Sequence, residues 1–103
     1  MTTAMEDLKM DTWLFVLVEK SANGERIFGQ QDTAHDIRFV PAFKDRKSAQ
    51  KGAIRLDVED DYEVHAIIYE DLLGYAGENQ SLIFLLDGKG SPLLKIAPDG
   101  RAL

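Results

Sequence analysis

Few side chains in this chain are suited to chemistry. Its only histidines are His35 and His65. His65 follows Glu63 by two positions in a stretch that alternates as strands do, so imidazole and carboxylate share a face with Ile67. A histidine oriented by a carboxylate can serve as a general base. His65 and Glu63, together with His35 between Ala34 and Asp36, are therefore the candidate ligand-binding residues. A structural role for both histidines fits the same pattern. No serine stands in a Gly-x-Ser-x-Gly elbow and no His-Glu-x-x-His is present, so no catalytic residue is assigned.

Two other spacings resemble binding loops and fail on their required residues. Asp57, Glu59 and Asp61 open like a calcium loop, but the sixth position is Tyr62 rather than Gly and the twelfth is Ile68 rather than Glu. The segment reads as a solvated acidic connector. Gly88-Lys89-Gly90-Ser91 lacks the Gly-x4-Gly-Lys-Ser/Thr spacing of a phosphate loop and leads into a strand, so it reads as a hairpin turn. The chain contains no cysteine, which excludes disulfides, thiolate metal sites and cysteine nucleophiles. No metal and no cofactor are expected. The sharpest charge feature is the set Lys44, Lys47, Lys51 and Arg55, which falls on one side of a helix. That face suits an acidic partner or a phosphate backbone, and an ordinary solvated helix face looks the same. No aromatic residue interleaves with it, so a platform for stacking single-stranded bases is missing.

These residues need elements to position them. Trp13 to Val18, WLFVLV, and Ser81 to Leu86, SLIFLL, are short apolar runs without a polar face, the pattern of strands buried on both sides. Asn23-Gly24 is a turn signal, and Glu25 to Gly29 returns as a hairpin arm. Gln30 to Asp36 reads as loop. Ile37 to Phe43 alternates as a half-buried strand, and Pro41 makes it an edge or a bend. Asp45 caps a helix to about Leu56, with Ala49, Ala53 and Leu56 on its inner side. Gly52 weakens that helix by about 1 kcal/mol relative to Ala. Tyr62 to Ile68 is a strand. Tyr69, Leu72, Leu73 and Ala76 have helical spacing, and Gly77 or Asn79 ends their helix. Pro92 to Ala97 answers the turn at Asp87-Gly90. Thr3-Ala4-Met5-Glu6 fits a capping box, so residues 1–11 form either a short helix or a frayed terminus. The order is β-β-β-α-β-α-β-β: a single α+β domain over residues 1–103, with one mixed β-sheet and two main helices packed on it.

Composition bounds the function. At 103 residues and 45% hydrophobic content, the chain suits one domain with a real core. A net charge of −6 disfavours nucleic acid as a general partner and gives no attraction to an anionic membrane. Residues 1–10 lack the apolar stretch of a signal peptide, and no run is long enough to span a membrane. The default expectation is cytoplasmic.

Parallel crossovers are right-handed almost always. If both crossovers step the same way, both helices cover one sheet face and leave the other bare. Large bare apolar faces are rare on monomers. The N-terminal segment, a helix on each side, or a partner chain could supply the cover. The expectation favours a homodimer, because residues 1–10 offer little beyond Met5 and Leu8.

Phe39-Val40-Pro41-Ala42-Phe43-Lys44-Asp45, followed by a helix containing Ala49, resembles the VPvFTs segment of SseB-like N-terminal domains. Leu82 to Leu93, LIFLLDGKGSPL, is similar to that family's closing strand and turn. Here Lys44-Asp45 replaces the Thr-Ser after Phe, and Asp87-Gly88-Lys89-Gly90 replaces an Asn-Pro-Gly turn. The resemblance implies a small bacterial α+β domain and carries over no catalytic residue. The chain thus reads as a non-catalytic accessory or protein-interaction module that self-associates or binds another protein. The competing reading is a small-molecule binder or enzyme with a pocket near His65 and Glu63. A third is nucleic-acid contact through the basic stripe.

Overall fold

An apolar run without a polar face needs neighbours on both edges and cover on both faces, and residues 13–18 have both. The computed structural model describes residues 8–21, 24–56, 58 and 61–103. In it β1 (Trp13–Ser21) pairs along one edge with β5 (Tyr62–Ile68). Its other edge pairs near the start with β4 (Ile37–Phe43) and near the end with β2 (Gly24–Ile27). β3 (Gln30–Asp32) pairs with the first half of β4. The far edge of β4 pairs in parallel with β6 (Leu82–Leu86), and β6 pairs antiparallel with β7 (Pro92–Ile96). The result is one mixed seven-stranded sheet with two helices, α1 (Arg46–Arg55) and α2 (Tyr69–Glu78).

The sheet is covered on both faces by its own helices. The crossover through α1 leads from β4 past β1 to β5, and the crossover through α2 returns past β1 and β4 to β6. The two steps run in opposite directions, so two right-handed crossovers place their helices on opposite faces. The core confirms the placement. Leu14, Val16 and Val18 of β1 pack in one cluster with Tyr69, Leu72 and Ala76 of α2. Leu17 packs in the other with Ala49 and Ala53 of α1 and with Phe43. The bare face that motivated a homodimer therefore does not exist.

Two local expectations are corrected. Gln30–Asp32 is a strand rather than loop, held by pairing with Ile37–Phe39. β4 is central rather than an edge, and Phe39 to Phe43 are buried on both faces rather than half-buried. Pro41 is accommodated because the β4 edge facing β1 and β3 is unpaired at Val40 and Pro41, which leaves a gap for a residue without an N–H. Residues 8–12 contain a turn at Met10 and Asp11 and no helix. The capping box at residues 3–6, Asn23 of the first turn, and Asp57, Glu59 and Asp60 of the acidic connector lie outside the described residues.

α1 starts where Asp45 Oδ1 accepts a 2.7 Å hydrogen bond from Ser48 N, an N-cap. It presents Ala49, Gly52 and Ala53 to the sheet, and the ring of Phe43 lies directly against Gly52. α2 follows β5 without a linker and has no side-chain cap; Glu70 and Asp71 in its first turn complement the helix dipole instead. Among the described residues no helix is long and apolar enough to cross a membrane.

Among the described residues, one buried side-chain polar atom has no partner. Tyr69 is 3% exposed and its hydroxyl makes no hydrogen bond to them. An unsatisfied buried hydroxyl costs about 1–3 kcal/mol. Tyr69→Phe is expected to stabilise the fold by roughly 1 kcal/mol, read as a higher urea midpoint at unchanged slope. A drop in midpoint would show that the hydroxyl has a partner.

Candidate functional site: the open edge of β5

Among the described residues, β5 has a neighbouring strand on one edge only. Its phase against β1 is set by Lys20 N donating to Asp61 O at 3.1 Å, in a register that continues through Val18–Glu63 and Val16–His65. In an antiparallel ladder, residue pairs alternate between exchanging hydrogen bonds and turning their backbone groups away. Glu63, His65 and Ile67 therefore bond to β1. Tyr62, Val64 and Ala66 turn N–H and C=O outward, where no strand of the described residues follows.

The side chains divide between the two faces. On the α2 side, His65 Nε2 lies 3.0 Å from Glu63 Oε1, and Lys20 Nζ lies 3.0 Å from Glu63 Oε2. Lys20 reaches Glu63 because Val18, two residues before it, stands opposite Glu63 in the register. The hydrogen bond from His65, then that from Lys20, holds the Glu63 carboxyl below its ordinary range. The same pair raises Lys20, mainly through the Glu63 hydrogen bond. All three side chains are nearly half exposed, so these ion pairs orient more than they stabilise. On the α1 side, the Arg46 guanidinium lies 5.5 Å from the centre of the Phe15 ring, and its Nη1 donates to Val64 O at 3.0 Å. An open groove of about 530 Å³ runs along this edge, lined by Arg46, Gln50, Tyr62, Glu63, Val64 and His65.

No family model, curated protein or solved structure matches this chain.

The structure brings two of the three candidate ligand-binding residues together. His65 and Glu63 form the expected pair, but in an open groove rather than a closed pocket. Among the described side chains, Ser48, Ser81 and Ser91 do not line it. His35 lies apart, in the turn between β3 and β4, where its Nδ1 is 2.9 Å from Asp32 Oδ2. Asp32 also accepts from Ala34 N at 3.1 Å, so this histidine clamps a turn. Glu25, Glu63 and His65 could each offer a ligand atom to a divalent cation, since those atoms lie within 4.8 Å of one another. The Lys20 ammonium bound to Glu63 opposes a second cation there. Lys47, Lys51 and Arg55 are exposed on the outward side of α1, and Lys44 is exposed just before its N-cap. The sequence reading missed Lys20, Arg46, Gln50 and Tyr62 as neighbours of the pair. Only the β1–β5 register and the seat of α1 bring them there.

Proposed function

We propose that this protein is a non-catalytic interaction module that associates with a second copy of itself by strand addition along β5. The observation that carries this reading is the row of outward backbone groups at Tyr62, Val64 and Ala66, beside a groove and with no strand beyond it among the described residues. Charge selects the register. An antiparallel, two-fold pairing centred on Val64 sets Tyr62 opposite Ala66 and Glu63 opposite His65 of the second copy. Centring it on Glu63 would set like charges face to face, which is unfavourable. The Arg46 hydrogen bond does not block the edge, because a carbonyl oxygen has two lone pairs and accepts a second donor. The resemblance to SseB-like N-terminal domains supports a module of this kind, since it carries over no catalytic residue. Its two stretches lie side by side as β4 and β6.

The test is sedimentation equilibrium with Ala66→Pro. Proline is tolerated on an edge strand where its missing N–H faces solvent. Ala66 is exposed, so the fold should persist while the added strand loses a donor. The wild type is expected to dimerise with concentration, and the variant to stay monomeric with an unchanged circular dichroism spectrum. A wild type that remains monomeric through the upper micromolar range removes the proposal.

A further inference from the structure

The outward face of α1 carries an apolar residue beside its basic stripe. At 100° per residue, Lys47, Lys51 and Ile54 fall within about 60° of one another. Ile54 is 79% exposed, the most exposed large hydrophobic among the described residues. The β6–β7 turn adjoins the same face. A Cβ placed at Gly88 would lie 3.4 Å from Lys51 Cδ, and one at Gly90 would lie 3.4 Å from Arg55 Cβ. The two stems are thus seated against the turn, and Lys89 stands between those glycines. Five of the chain's 12 basic residues, Lys44, Lys47, Lys51, Arg55 and Lys89, lie on or beside this face in a protein of net charge −6.

None of these five makes an ion pair among the described residues. The neighbouring carboxylates are engaged with backbone: Asp45 accepts from Ser48 N, and Asp87 accepts from Lys89 N at 2.8 Å and Ser91 N at 2.9 Å. The face therefore combines cations that make no ion pair among the described residues, although Asp45 acts on Lys47 and Lys51 and Asp87 on Lys89 at longer range, with an exposed aliphatic side chain at its flank. We infer that it docks an acidic segment of another protein that presents an aliphatic residue to Ile54. A phosphate backbone would use the cations but not Ile54, and no aromatic residue is there to stack on bases. The inference stands independently of the β5 edge.

The probe is a fluorescein-labelled peptide of glutamates flanking a central leucine, compared by anisotropy with an all-glutamate peptide and a labelled DNA duplex. The leucine peptide is expected to bind most tightly and to weaken as salt is raised. Lys47→Glu/Lys51→Glu should weaken it about tenfold or more. Ile54→Ser should weaken the leucine peptide roughly fivefold and leave the all-glutamate peptide unchanged. Arg26→Glu/Arg38→Glu makes the same change of charge on another surface and should leave binding intact. All three variants alter exposed side chains, and circular dichroism checks that they fold. The inference is overturned if no peptide binds, if the duplex binds more tightly than the leucine peptide, or if Ile54→Ser has no effect.

Discussion

Replacing Leu14 or Leu17 with alanine is expected to destabilise the protein by about 2–5 kcal/mol in either case. The two residues sit on one strand, are 1% and 0% exposed, and point to opposite faces. Leu14 packs in the cluster with α2 and Leu17 in the cluster with α1. Each truncation removes buried apolar surface and leaves a cavity that close-packed neighbours fill only in part. A sheet with one face open to water would respond unevenly, with a small loss for the residue on that face. Trp13, on the same strand and 60% exposed, provides the internal contrast, and its replacement by alanine should cost far less. Urea unfolding of the three variants measures this. Near-zero loss at either leucine would show that the fold does not cover that face.

Gly52→Ala is expected to destabilise the protein by roughly 1–3 kcal/mol, although helix propensity alone predicts a gain of about 1 kcal/mol. A methyl at Gly52 would run into the Phe43 ring, which is fully buried and has no free space to retreat into. Packing wins because the methyl cannot be admitted without moving either the ring or the whole helix. Phe43→Leu removes the obstructing ring atoms at a cost of its own. The double variant should therefore be less destabilised than the sum of the two single ones, since the sites are in contact. A thermally stabilised Gly52→Ala would mean that α1 sits further from the sheet.

Much of the architecture was legible in the sequence because burial on two faces leaves an unmistakable composition. WLFVLV and LIFLL have no polar face, and both are interior strands. Asp45 capped the helix that its type and position announced. The direction of the crossovers was not legible. It depends on which strands α1 and α2 connect across the sheet, and no local pattern encodes that. β3 was hidden for a related reason. Gln30–Asp32 is polar and becomes a strand only because Ile37–Phe39 lies beside it. At the candidate site, the pairing of Glu63 with His65 follows from strand alternation, whereas Lys20 and Arg46 arrive through a register and a helix position set elsewhere. Gly52 shows the limit of propensity most clearly, since its value to the fold is the space it leaves for an aromatic ring.

The pairing of β1 also bears on how the chain matures. β2 follows directly and shields part of one edge, but the other edge waits for β5, and one face waits for α2. Synthesis must therefore run to the end of α2, sixty residues past Val18, before WLFVLV is shielded on every side. Contacts so distant in sequence form slowly, and a β-rich apolar segment left waiting is a site for misassembly between nascent chains. Yield on overexpression should depend on temperature and chaperone supply more steeply than the stability of the finished domain would suggest.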